Sequence, residues 1–213
     1  EYVSDENIEV ISSGDFATPI TDDTPVHVVI PCGQSNVGPS GSNNVRANYD
    51  ADLRTGLTDV LIWEYFSTLN KFVPIEDDVD TFTEADILPG PFLKVARDLK
   101  TKFPNDEIRI VQYYLGGTEL ATSWSANPVG VTYQNWIDAV MSAFRTLIIE
   151  QRNVATITIL WIQGEADAAD ETYSLEYYDN LVELAADMRD RVDDAFLNIG
   201  IDIKFVVSAL SSR

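Results

Sequence analysis

The sequence is poor in the residues that usually carry acid–base and redox chemistry. Its 213 residues include one histidine, His27, and one cysteine, Cys32. A single cysteine excludes an internal disulfide and leaves the redox compartment open. The single histidine means that, within this sequence, only His27 could be the imidazole base that a serine nucleophile usually has.

Positive charge is also scarce. The chain has 14 lysines and arginines against 35 aspartates and glutamates, for a formal net charge of −21. Such a charge repels phosphate backbones and anionic membrane surfaces, so it argues against nucleic acid as a partner and favours neutral or cationic ligands. A salty environment or a solubility requirement explains the same acidity without any binding role, and this is the simpler interpretation.

Long apolar runs are missing. No stretch approaches the roughly 18 residues that cross a membrane, and no signal-peptide pattern precedes Val26, so membrane insertion is not expected. The chain starts at Glu1 rather than at methionine, which suggests a processed or excised segment. Its length and its 45% hydrophobic content are typical of one globular domain. We expect an N-terminal arm over residues 1–25 and a single domain over residues 26–213.

Apolar runs of strand length alternate with helical patterns along the chain. Strands are predicted at 26–31, 60–63, 108–115, 156–162 and 201–208, with 72–75 as a hairpin-like extension of the second strand. Helices are predicted from Pro91 to about Phe103, from about Gln134 to Gln151, and from about Leu175 to Asp194. This alternation predicts an α/β fold, a three-layer α/β/α sandwich around a central, mostly parallel five-stranded sheet of the flavodoxin-like type.

Three of the predicted strands end in polar turns that contain glycine. The turns are Gly33-Gln34-Ser35-Asn36, Gly116-Gly117-Thr118 and Gln163-Gly164-Glu165. Because the carboxyl ends of parallel strands share one edge of a sheet, where ligands gather, we expect the three turns to lie together. A buried strand that breaks at a glycine and presents a serine is typical of a nucleophile, so Ser35 is the catalytic candidate. An ordinary turn serine is the alternative.

These motifs resemble the SGNH hydrolase superfamily, and within it the branch of sialate O-acetylesterases and plant acetylxylan-esterase-like proteins. The resemblance spans roughly 26–208 and rests on Gly-Gln-Ser-Asn, on the glycine pair and on the run Trp161-Ile162-Gln163-Gly164-Glu165-Ala166-Asp167. It implies that Ser35 is the nucleophile of an acyl-enzyme route. It also implies an oxyanion hole made of the Ser35 amide, the Gly117 (or Gly116) amide and the Gln163 side chain. Supporting roles around the pocket are implied for Gln34, Asn36, Gly116, Thr118, Glu165 and Asp167.

The base that this family pairs with its serine has no match in the sequence. The resemblance implies an Asp-x-x-His after the last strand, so we expect the domain to lack its His-bearing C-terminal segment. His27 lies eight positions before Ser35 on an extended strand, on the order of 20 Å away, whereas general-base contact needs about 3 Å. We therefore expect His27 to be a packed strand residue. A carboxylate with a pKa of about 4, such as Glu165 or Asp167, is a poor base for serine.

Three further features each have two explanations. Trp124 and Tyr133 either line a sugar-binding surface or pack in the core. Cys32, at the end of a buried strand, is expected to be a core residue rather than a thiol nucleophile. The acidic run 76–80 lacks the glycine that an EF-hand loop requires, so we expect a solvated loop there. Neither a metal nor another cofactor is expected.

The residues leave two functions open. The first is a serine esterase that removes O-acetyl groups from carbohydrates, with its histidine supplied by sequence beyond Arg213 or by another segment. The second is a catalytically incomplete SGNH domain that serves as a glycan-binding or structural module of a larger assembly. The expected partner is an acetylated carbohydrate or another small ester. A secreted, surface-exposed or particle-associated location is favoured over a cytoplasmic one.

Overall fold

The computed structural model describes residues 23–38, 57–63, 71–75, 92–196 and 200–208. The acidic run 76–80 and all of the predicted arm before residue 23 lie outside the described residues. The expectations for these two segments therefore remain predictions.

A seven-stranded sheet with three helices forms the described part of the chain. The strands are β1 (Pro25–Gly33), β2 (Leu57–Trp63), β3 (Phe72–Ile75), β4 (Glu107–Ile110), β5 (Tyr113–Tyr114), β6 (Asn153–Ile162) and β7 (Asp202–Val207). The helices are α1 (Phe92–Lys102), α2 (Val131–Ile149) and α3 (Glu171–Ala195). The strand order is β3-β2-β4-β1-β6-β7, with β5 paired to β1, and every pair is parallel except β2 with β3. The predicted α/β fold with a mostly parallel sheet is confirmed.

Helices cover both faces of this sheet. Successive side chains of a strand point to opposite faces, and the register sets Val28 beside Ile157 and His27 beside Ile108. Val28 and Ile157 belong to the larger buried cluster, which includes apolar residues of α2 and α3. Ile108 belongs to a separate cluster that includes Ala96 of α1. The two clusters therefore lie on opposite faces, as a three-layer sandwich requires.

The sheet has two more strand segments than the five predicted, because 72–75 pairs with β2 as a strand of its own and 108–115 is divided into β4 and β5. Pro31 explains the division. The carbonyl oxygens of Val29 and Gly33 accept hydrogen bonds from Val111 and Leu115, so alternate residues of β1 face β4 and β5. Pro31 faces the same side and has no N–H to donate, which interrupts the ladder opposite residues 111–112.

Two helices begin earlier than predicted. The α3 helix starts at Glu171 rather than at about Leu175, because the Asp170 side chain caps it by accepting hydrogen bonds from two backbone N–H groups of the first turn. The α2 helix starts at Val131 rather than at about Gln134. Val131 is exposed and so lies off the apolar stripe that predicts the helix.

Candidate active site

Three strand ends meet at one edge of the sheet. β1 lies between β5 and β6, and its last residue, Gly33, is in register with Tyr114 of β5 and with Ile162 of β6. The loops that contain Ser35, Gly117 and Gln163 therefore leave the sheet at the same level from three adjacent parallel strands. This juxtaposition of the three turns is what the sequence predicted.

Gly33 lets the chain turn sharply out of β1 just before Ser35. Its φ is +133°, in a region that L side chains rarely adopt, and a Cβ there would lie 2.1 Å from the carbonyl oxygen of Ile162. The next amide, that of Gln34, donates to the same oxygen at 3.0 Å. The chain then forms a single 3₁₀ turn, Ser35–Val37, which places the half-buried Ser35 directly beyond the strand end.

The glycine pair passes directly beside Ser35. A Cβ placed on Gly116 would lie 3.7 Å from the Cβ of Ser35, which is ordinary van der Waals contact. Gly117 has φ +70° and nothing within 4 Å of a Cβ built on it. Both glycines are exposed, so the backbone beside the serine is open to a ligand.

Gln163 is buried at the other side of β1, with 1% of its surface exposed. Its Nε2 donates to the carbonyl oxygen of Thr118 at 3.0 Å and to Oδ2 of Asp167 at 2.5 Å. Both partners are pure acceptors, so they determine which end of the carboxamide carries the nitrogen. Both N–H bonds of Nε2 are thereby used, while Oε1 is buried without a hydrogen-bond partner among the described residues.

Asp167 connects the β6 loop with the loop that follows β5. It is completely buried and accepts hydrogen bonds from the Leu120 amide at 2.9 and 3.0 Å and from the Ala121 amide at 3.2 Å. The β1 loop is tied in as well, because Oε1 of the buried Gln34 accepts from the Ala166 amide at 3.3 Å. Side chains thus link all three loops to one another.

Asn36 and Glu165 form a polar pair at the mouth of the site. Nδ2 of the exposed Asn36 donates to Oε1 of Glu165. The other oxygen of Glu165, Oε2, is buried and has no hydrogen-bond partner in the described part of the chain. A carboxylate oxygen is therefore desolvated one loop away from Ser35.

A sequence-family model described as "Carbohydrate esterase, sialic acid-specific acetylesterase", abbreviated SASA, matches residues 25–207. The chain belongs to this family. The match covers the whole sheet and all three helices, so the SASA assignment applies to the described fold and not to a short motif. Among curated proteins, no sequence matches the chain significantly.

Solved structures that share the fold of this SASA member include two of low sequence identity. One is the protein AT4G34215 from Arabidopsis thaliana, with 17% sequence identity, a TM-score of 0.58, and coverage of 88% of this chain and 87% of that one. The other is NanS, with 15% identity, a TM-score of 0.59, and coverage of 90% and 80% of the two chains. At these identities the similarity concerns the fold alone.

His27 lies at the other end of β1 from Ser35 and is 6% exposed. Its Nε2 is 2.9 Å from Oδ2 of Asp106 and its Nδ1 is 2.8 Å from Oγ1 of Thr156. Its ring stacks on Phe103 with 4.3 Å between centroids. Both nitrogens are engaged far from the three loops, so the prediction that His27 packs between elements is confirmed.

The aromatic residues and the cysteine near the site belong to the core. Trp124 and Tyr133 are both 0% exposed, which confirms the packing alternative over a sugar-binding surface. Cys32 is fully buried, and this burial raises the pKa of its thiol well above the usual range. Its expected role as a core residue is therefore confirmed.

Tyr177 of α3 supports the site and was missed in the sequence. Its hydroxyl donates to the carbonyl oxygen of Gln163 at 2.8 Å and accepts from Nε1 of Trp161 at 3.1 Å. Burial raises the pKa of Tyr177 to about 12, so the hydroxyl stays protonated as a donor. In the sequence Tyr177 is one of several polar and aromatic residues near the start of α3, six positions after Glu171. Its position in a helix gives no indication that its hydroxyl contacts the end of a strand.

On the opposite loop, Thr118 has a comparable supporting role. Its Oγ1 donates to the Leu115 carbonyl oxygen at 2.7 Å and accepts from Nε1 of Trp124 at 2.9 Å.

In the described ranges, no group of three or more histidine, cysteine, aspartate or glutamate side chains could hold a metal ion. No described helix is both long and apolar enough to cross a membrane.

Proposed function

We propose that this SASA-family protein is a serine esterase that removes O-acetyl groups from carbohydrates by way of an acetyl-enzyme. The family match supports a carbohydrate acetylesterase-type hydrolase. The observation that carries the serine mechanism is the close position of Gly116 to Ser35. A Cβ built on this glycine would lie 3.7 Å from the Cβ of Ser35, and the Gln163 loop lies on the other side of the same strand.

The reaction has two acyl transfers in this proposal. Ser35 Oγ loses its proton to a base and bonds to the acetyl carbonyl carbon, which gives a tetrahedral oxyanion. The bond between this carbon and the sugar oxygen then breaks, and the sugar oxygen takes the proton. Water attacks the acetylated Ser35 in the same way, which releases acetate and restores the hydroxyl.

The oxyanion is held by backbone amides in this scheme. The amide of Ser35 and that of Gly117 or Gly116 are donors that belong to two adjacent loops, and removing one such donor typically lowers kcat about 100- to 1,000-fold. Gln163 is the third proposed donor. Because both of its Nε2 protons are already directed to Thr118 and Asp167, it serves the oxyanion in this scheme by exchanging the Thr118 carbonyl oxygen for the substrate oxygen, while its hydrogen bond to Asp167 is kept.

The base is proposed to be a histidine outside the 213 residues. His27 is the single histidine of the chain and is engaged at the opposite end of β1. In this proposal the pocket is shaped, and its loops are held in place, by five polar residues: Gln34, Asn36, Thr118, Glu165 and Asp167. The leaving group is the hydroxyl of a carbohydrate, and no cofactor is assigned to the reaction.

The test is acetate release from 4-nitrophenyl acetate and from an acetylated oligosaccharide. The protein expressed from its full reading frame is compared with its Ser35→Ala variant and with Ser174→Ala, an exposed serine on α3. We expect Ser35→Ala to abolish turnover and labelling by a fluorophosphonate, and Ser174→Ala to leave both unchanged. Equal turnover in the two variants would refute the proposal.

The same observation about His27 favours a second candidate, a glycan-binding module without activity. With the only histidine of these residues remote from Ser35, the pocket could bind an acetylated glycan and not cleave it. Titration calorimetry with the acetylated oligosaccharide separates the two. Heat of binding without acetate release, in the protein with its native C-terminus, supports the module over the esterase.

A further inference from the structure

Asp167 is an acidic side chain in an unusual position for a surface loop. It is 0% exposed, and none of the ion pairs found in the described part of the chain includes it. Burying a carboxylate without a cation is costly unless strong donors replace its water. The donors here are the amides of Leu120 and Ala121 and the Nε2 of Gln163.

These donors come from the two loops that flank Ser35. Leu120 and Ala121 follow the Gly116-Gly117-Thr118 turn after one intervening residue, and Gln163 is the first residue after β6. One carboxylate thus sets the position of the glycine loop relative to the Gln163 carboxamide. The carbonyl oxygen of Thr118 closes the arrangement, because it accepts the second N–H of Gln163.

We propose that Asp167 is a positioning residue of the oxyanion hole, which acts on the rate of the chemical step through Gln163 and the glycine loop. This inference rests on the proposed esterase function. An oxyanion hole stabilises the transition state only if its donors are held in place before the reaction. Displacement of such groups by about 1 Å can lower the rate about 100-fold.

The geometry requires two hydrogen-bond-accepting oxygens at residue 167, and not only a side chain of the volume of aspartate. Oδ1 faces the two backbone amides and Oδ2 faces both the Leu120 amide and Gln163. In an Asp167→Asn variant of nearly equal shape, the new NH₂ group must therefore face an N–H donor in either orientation of the carboxamide. The glycine loop or the Gln163 side chain has to move in response.

The experiment compares kcat and KM of the wild type, Asp167→Asn and the matched control Asp170→Asn on 4-nitrophenyl acetate. Asp170 is exposed and also accepts from backbone amides, those of Thr172 and Tyr173, through a single oxygen that asparagine also has, so its replacement keeps the helix cap and leaves the site alone. We expect Asp167→Asn to lower kcat about 100-fold with KM within about twofold. Asp170→Asn should keep the wild-type kcat and nearly the wild-type melting temperature.

A double-mutant cycle distinguishes positioning from a general loss of stability. If Asp167 acts through Gln163, the loss of kcat in Asp167→Asn combined with Gln163→Ala is smaller than the product of the two single losses. Should Asp167→Asn fail to fold, Asp167→Ser keeps one acceptor oxygen and takes its place in the cycle. Multiplicative losses, or a folded Asp167 variant with wild-type kcat, would overturn the inference. A wild type that releases no acetate overturns the esterase proposal itself, and the inference with it.

Discussion

Replacement of Gly33 by alanine tests how the site is assembled at the end of β1. The new Cβ would lie 2.1 Å from the Ile162 carbonyl oxygen and 2.6 Å from its carbon, both backbone atoms of the adjacent strand. Ordinary contact begins near 3.4 Å, so the two strand ends must separate by more than an ångström. The residue would also have to keep φ at +133°, where alanine is strained.

The expected loss follows from these two terms. Backbone strain of this kind costs about 1 to 3 kcal/mol, and overpacking against a rigid neighbour costs about 1 to 3 kcal/mol more. We expect Gly33→Ala to lower the free energy of unfolding by about 2 to 6 kcal/mol. Because the Ser35 and Gln163 loops begin at the displaced strand ends, kcat should fall by about 100-fold as well.

Gly200→Ala is the matched control for the Gly33 substitution. Gly200 has φ +78° and nothing within 4 Å of a Cβ built on it. An alanine here has the backbone strain of a positive φ but no steric overlap with a neighbouring strand. Gly200→Ala should therefore lower the free energy of unfolding by only about 1 to 2 kcal/mol and leave kcat unchanged. Urea unfolding and initial rates on 4-nitrophenyl acetate measure both quantities. If Gly33→Ala is no less stable than Gly200→Ala and retains its kcat, the close approach of β1 to β6 does not organise the site.

Two further predictions concern buried groups beside the site. Because the pKa of the Cys32 thiol is raised in the folded state, an unfolded thiol ionises first as the pH rises past about 8.5. The unfolding free energy of the wild type, relative to that of Cys32→Ala, should therefore fall by about 1 kcal/mol between pH 9 and pH 10. Urea unfolding at the two pH values measures this difference between the two proteins. If the difference is the same at both pH values, the burial argument is wrong. Tyr177→Phe removes the donor to the Gln163 carbonyl oxygen and should cost about 1 kcal/mol of stability and lower kcat with KM unchanged. Thermal unfolding measures the stability of this variant, and Michaelis–Menten kinetics measure its kcat and KM. If stability and kcat both equal those of the wild type, Tyr177 has no supporting role.

Much of the site could be predicted because its residues lie at strand ends. An apolar strand followed by glycine and a polar residue is visible in sequence, and parallel pairing brings such ends to one edge whatever the details of packing. For that reason the sequence predicts Ser35, Gly117 (or Gly116) and Gln163 together, and the structure has their loops at the ends of three adjacent strands. The hydrogen bond of Gln163 to Thr118 could not be predicted, because it depends on the path of a loop 45 residues earlier in the chain.

The sequence by itself determined the fold class, the parallel sheet and the edge at which polar turns collect, because the alternation of apolar strands and helices allows few other arrangements. It also determined that His27 could not reach Ser35, since one strand separates them. Only the tertiary structure decided which buried polar groups satisfy one another. Asp167 is buried without a cation because two loops, distant along the chain, supply its donors, and such complementarity exists only once the loops have met.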